Sequence, residues 1–99
     1  MATFNEMIQS GTPIVVDFYA TWCQPCKMMA PILQQVKGQL GDQVRIIKID
    51  VDKNQDVAAR YQIRSVPTTM IFQNGKMKWS GSGVMQADQL VSVIRSATN

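Results

Sequence analysis

Histidine is absent from the 99 residues. That absence removes Ser-His-Asp and Cys-His catalysis, together with every metal site that needs an imidazole. Cysteine is scarce, and the chain has only Cys23 and Cys26. A closed structural zinc site normally takes four protein ligands, so one C-x-x-C supplies half of one and no metal is expected. Long apolar runs are also missing. The longest are three residues, as in Ile14-Val15-Val16 and Met70-Ile71-Phe72, against roughly 18 for a bilayer-spanning helix. Neither a transmembrane helix nor a secretory h-region is expected. The opening Met1-Ala2-Thr3-Phe4-Asn5-Glu6 lacks the basic n-region of a signal peptide, so a cytoplasmic address is expected. Nor is there a run of one charge: ten Lys and Arg against seven Asp and Glu leave +3, with the basic residues scattered from Lys27 to Arg95. This balance favours solubility and leaves no nucleic-acid footprint.

What remains is 45% apolar and 17% charged, with six Gly and four Pro, the composition of an ordered globular chain. Its length suits one compact domain, spanning 1–99, and is too short for two. Thr3-Phe4-Asn5-Glu6 has the form of a capping box, which predicts a short helix from Phe4 to about Gln9, ending before Gly11 and Pro13. Ile14 to Tyr19 is β-branched and aromatic, apolar on both faces except for Asp17, as expected of a central, doubly covered strand. Met28, Met29, Ile32, Leu33, Val36 and Leu40 recur at helical spacing, and Gly38 and Gly41 mark that helix's end near residue 40. Pro31 lies inside this helix and should kink it. Val44 to Asp50 reads as a second strand, parallel to the first because a helix connects them. A short helix over Asn54 to Tyr61 follows. Thr68–Gln73 and Lys76–Ser80 flank Asn74-Gly75, a strong hairpin signal. Leu90, Val91, Val93, Ile94 and Ala97 form the stripe of a closing helix over Gln86 to Ala97. The order predicts a three-layer α/β domain with a mixed central sheet of about four strands flanked by helices.

Chemistry concentrates in Trp22-Cys23-Gln24-Pro25-Cys26-Lys27, where the central strand gives way to the kinked helix. A cysteine at a helix start faces unpaired backbone N–H groups, which favour thiolate over thiol. Cys23 is that residue and the candidate nucleophile. Cys26, one turn further in, reaches the first sulfur from a less exposed position and is the resolving thiol. Pro25 fits the first turn, where a missing N–H costs nothing. Two buried apolar fillers are the plainer reading of these cysteines, but the strand-to-helix context favours a redox motif. Asp17, a carboxylate in an apolar strand, should have a raised pKa and could exchange a proton with Cys26. Trp79 is expected to pack in the hairpin, and the seven Met residues, including Met28, Met29 and Met70, to fill core gaps.

Val16-Asp17-Phe18, Trp22-Cys23-x-Pro25-Cys26-Lys27, Pro31, Lys48-x-Asp50, Ile63 to Thr68, Asn74-Gly75 and Gly83 fall in one order and spacing that closely resembles the thioredoxin family over nearly the whole chain. Two departures stand out. The family's first strand is missing, and Gln24 stands where its commonest motif has Gly, which bears on redox poise but not on the reaction class. The resemblance implies a thioredoxin-like fold and a protein-disulfide reductase, with Cys23 attacking and Cys26 resolving. It assigns Asp17 the proton exchange with Cys26 and makes Lys48 its charged neighbour. Sequence alone favours a trans Val66–Pro67 bond, whereas the resemblance implies cis, with the Val66 backbone turned outward to pair with an extended substrate strand. Trp22, Val51, Ser65, Val66, Pro67, Gly83 and Val84 would then frame a shallow groove, although Val51 and Val84 also suit ordinary core positions.

The same resemblance implies disulfide-containing protein substrates and re-reduction by a flavin-dependent thioredoxin reductase drawing on NADPH. The chain itself needs no cofactor beyond a reversible Cys23–Cys26 disulfide, and a monomer is expected. The alternatives are an oxidant or isomerase of the same fold, or a non-catalytic thioredoxin-like binding subunit. Retained Asp17, Pro25 and Pro67 beside both cysteines count against the binding subunit.

Overall fold

The computed structural model describes residues 2–99; Met1, which the expected 1–99 domain includes, lies outside the described residues. The chain runs α1 (Phe4–Met7), β1 (Ile14–Tyr19), α2 (Gln24–Lys27), α3 (Met29–Leu40), β2 (Arg45–Asp50), α4 (Gln55–Arg60), β3 (Thr68–Gln73), β4 (Lys76–Ser82) and α5 (Ala87–Ala97), with one 3-10 turn at Gly41–Gln43. The four strands form one sheet in the order β2-β1-β3-β4. β1 pairs parallel with β2 and antiparallel with β3, which pairs antiparallel with β4. The mixed sheet and the central place of β1 agree with the sequence.

Local chemistry sets the element ends. Thr3 closes the capping box of α1, its Oγ1 accepting from the Glu6 N–H at 3.2 Å while Glu6 reaches back to the Thr3 N–H. At the hairpin, Asn74 (φ 55°) and Gly75 (φ 80°) both take the left-handed conformation that a tight turn between twisted strands requires. The expected kinked helix is divided. Pro31 has no N–H to offer the Lys27 carbonyl four residues before it, and the ladder breaks at Met28, which keeps helical dihedrals (φ −71°, ψ −22°). One turn carrying the cysteines therefore precedes a separate α3.

Alternation along β1 distributes the core. Val16 and Phe18 join Phe4, Ile8, Val57, Met70 and Phe72 on the face covered by α1 and α4. Val15 faces the other way, among Met29, Leu33, Val36, Ile71, Leu90 and Ile94 under α3 and α5. Asp17, alternating with Val16 and Phe18, shares the face of Val15. Met29 and Met70 fill the core as expected and Trp79 packs against it, but Met28 is 57% exposed and Met77 is 50% exposed. Met28 falls at the break between two helices, off the apolar stripe of α3. Met77 lies on the exposed β4 edge.

Candidate active site

Cys23 is the N-cap of α2, and its sulfur accepts the backbone N–H of Cys26 at 3.2 Å. The two cysteines are joined as a disulfide with Cα atoms 5.3 Å apart. Cys26 was expected to be the less exposed of the pair. Instead the residues are equally buried, 4% exposed for Cys23 and 6% for Cys26, because Ala20, Tyr19, Val51 and Val66 pack around both. What distinguishes them is the N–H directed at Cys23. Pro25 occupies the first turn of α2 as expected, and Gln24, Pro25 and Lys27 are exposed.

Opposite the cysteines, Val66–Pro67 is cis, as the family resemblance implied and against the sequence prior. The Val66 carbonyl oxygen lies 3.7 Å from Cys23 Sγ. A disulfide sulfur has no proton to donate, so this is a packing contact between Cys23 and the Val66 backbone. Gly83, with φ +90°, donates its N–H to the Pro67 carbonyl at 2.8 Å. Ser65 is exposed, and its carbonyl accepts from Thr68 Oγ1 at 2.7 Å. Val51 and Val66 border the cysteine cluster, whereas Val84 packs against the α3 and α5 core.

Trp22 is 71% exposed, with its indole N–H donating to Asp52 Oδ2 at 2.9 Å. Sequence reasoning missed Asp52, whose partner is remote in the chain. The turn that presents it has a local origin, since buried Asp50 accepts the N–H groups of Asp52 (2.9 Å) and Lys53 (3.3 Å).

Asp17 is 1% exposed, and neither carboxylate oxygen has a hydrogen-bond partner. Burial pushes its pKa up from 3.8 to about 6, with the Lys48 ammonium opposing the rise. Lys48 is the register partner of Asp17 on β2. β2 is an edge strand and Lys48 is exposed, its Nζ 4.9 Å from the centre of the Tyr19 ring. Tyr19, Cys26, Lys27 and Lys48 help line an open pocket of about 330 Å³.

A cysteine pair joined as a disulfide at a strand-to-helix junction, with one backbone N–H directed at its first sulfur, can exchange disulfides. The thioredoxin family model matches residues 1–96. The chain belongs to the thioredoxin family. It is 48% identical over 95 residues to a thioredoxin-like protein of Synechocystis sp., covering 95% of this chain and 90% of that one. It is 47% identical over 97 residues to chloroplastic thioredoxin Y of Oryza sativa subsp. japonica, covering 97% of this chain but 58% of that relative's length. Among solved structures, a thioredoxin variant from Halobacterium salinarum superposes with a TM-score of 0.87 at 32% identity, over 100% of this chain and 88% of that one. Oxidised mitochondrial thioredoxin 3 from Saccharomyces cerevisiae gives 0.84 at 34% identity, over 94% and 86%. Family membership and the paired cysteines make this thioredoxin-family chain a thiol-disulfide oxidoreductase. Disulfide-containing proteins are its substrate class. Among the described residues, no helix is long and apolar enough to cross a membrane.

Proposed function

We propose that the chain works as a reductant of protein disulfides, with Cys23 as nucleophile, Cys26 as resolving thiol and Asp17 as the base for Cys26. The observation that carries the order of attack is the Cys26 N–H directed at Cys23 Sγ, 3.2 Å away. In the reduced protein that donor favours a Cys23 thiolate, and among the described residues no equivalent donor serves Cys26. The thiolate attacks one substrate sulfur, breaking the substrate S–S bond and releasing the first substrate thiolate. Asp17 takes the proton of Cys26, whose sulfur then attacks Cys23 Sγ. The mixed disulfide breaks, the second substrate thiolate leaves, and two electrons have passed to substrate as the Cys23–Cys26 bond forms. The exposure of Trp22 and the nearness of the Val66 backbone to Cys23 support docking of an extended substrate segment there.

The disulfide is the chain's own redox group, NADPH and flavin serving only a thioredoxin reductase that restores the dithiol, and the protein acts as a cytoplasmic monomer of one domain. Trapping tests the order of attack. Cys26→Ser should accumulate a mixed disulfide through Cys23, and Cys23→Ser should abolish disulfide reduction in a turbidity assay. A mixed disulfide that accumulates through Cys26 in Cys23→Ser would overturn the assignment.

A further inference from the structure

Among the described residues, the buried side-chain polar atoms without a hydrogen-bond partner sit on two side chains: Asp17 Oδ1 and Oδ2, and Thr69 Oγ1. The two are register partners across β1 and β3. Directly opposed residues of an antiparallel pair share a face, with Cβ atoms about 4.5–5.5 Å apart. An unpaired hydroxyl donor thus shares one sheet face, in direct register, with two unpaired acceptors. The other side of Thr69 offers no competitor, because its β4 partner is Gly81, against which the Trp79 indole lies. Neighbouring Thr68 differs, its hydroxyl already donating to the Ser65 carbonyl. A buried hydroxyl is rarely left without a partner, so the pair calls for one.

We propose that Thr69 is a positioning residue for the exchange reaction, its hydroxyl donating to the Asp17 carboxylate and holding that base in its charged, proton-accepting form. The proposal rests on Asp17 being the base for Cys26. Charged groups on the surrounding elements leave this place to Thr69. Lys48 faces Asp17 from β2, and the cysteines and exposed Lys27 belong to α2. In α3, Lys37 is engaged with the Val44 carbonyl at 2.6 Å. α5 turns Ala87, Leu90, Val91 and Ile94 inward and keeps Asp88 and Arg95 exposed. Lys48 acts on the carboxylate as a charge from an exposed position, whereas the hydroxyl of Thr69 is buried with it. When Asp17 receives the Cys26 proton, the charge-assisted bond weakens. Thr69 therefore sets the pH above which the carboxylate is free to accept.

The test is a carboxyl-carbon NMR titration of Asp17 in the full oxidised chain, as wild type, Thr69→Val and Thr69→Ser. Valine keeps the shape and removes the donor, and serine restores the donor. Thr69→Val should move the Asp17 midpoint upward by about one pH unit, a tenfold change for a hydrogen bond to a charged group. Thr69→Ser should stay at the wild-type midpoint. The rate of mixed-disulfide resolution should move with the midpoint in Thr69→Val, leaving attack by Cys23 unchanged. Equal midpoints in wild type and Thr69→Val overturn the proposal. A midpoint that moves while the resolution profile stays fixed overturns Thr69's role in exchange. Failure of the Asp17 reading itself is seen separately, as an unaltered resolution rate in Asp17→Asn.

Discussion

Replacing Asp17 by alanine removes a buried carboxylate from the central strand. Its pKa is about 6 in the folded chain against 3.8 ordinarily, so the folded state holds a proton that the unfolded state releases. Below the unfolded value both states are protonated and the site carries no penalty. As pH rises from about 4 through about 6 the unfolded chain ionises first, and stability falls. Above the folded value the penalty is complete. At about 1.4 kcal/mol per pH unit, the gap between the two pKa values amounts to roughly 3 kcal/mol. Alanine abolishes this penalty but leaves a cavity costing on the order of 1 kcal/mol. Asp17→Ala should therefore be more stable than wild type by about 2 kcal/mol at neutral pH, and slightly less stable at about pH 4. The diagnostic quantity is the change in that difference between about pH 4 and about pH 8, roughly 2–3 kcal/mol, in which the cavity cost cancels. Denaturant unfolding of both oxidised proteins across this range measures it, and single-turnover reduction of a model disulfide should show slowed resolution with attack intact. A stability difference that stays constant with pH would refute the reasoning, because desolvation of an ionised Asp17 would then play no part.

Lys48→Met removes the cation that opposes the rise, so the Asp17 midpoint should climb above about 6 in the same carboxyl titration; an unchanged midpoint would mean that solvent screens the exposed ammonium completely. Gln24 cannot ionise, so a positive charge between the cysteines does not stabilise the thiolate, and the couple should lie nearer the family's reducing end of about −270 mV than the −120 mV of strong periplasmic oxidants. The first value is typical of thioredoxins, and equilibration with glutathione measures where Gln24 puts the couple of this chain. Gly83→Ala forces a side chain into φ +90° and should cost about 1–2 kcal/mol in unfolding experiments; it should also loosen the Pro67 edge, raising KM for protein disulfides more than for a small aromatic disulfide. Alkylation of the reduced chain at neutral pH should label Cys23 before Cys26, as peptide mapping would report.

Much of the site was legible in sequence because it depends on chain-local chemistry. The Thr3 capping box and the Asn74-Gly75 turn act within a few residues and stand where the pattern placed them, whereas the kink expected at Pro31 is a division of the helix at Met28. Cys23 at a helix start is equally local, since the strand before it and the turn after it fix its relation to the Cys26 N–H. The apolar setting of Asp17 could be read from its flanks, and burial raises its pKa in the expected direction. Tertiary structure decided which groups face one another across the sheet. Lys48 and Thr69 meet Asp17 only because β2 and β3 pair with β1 in one register, and a slip of one residue would turn different side chains toward it. The Trp22–Asp52 hydrogen bond, the exposure of Met28, the equal burial of the cysteines and the division of labour between Val51 and Val84 are of the same kind. Side-chain period and caps are set by neighbours along the chain, whereas burial and partnership are set by neighbours in space, which strand register and helix packing supply.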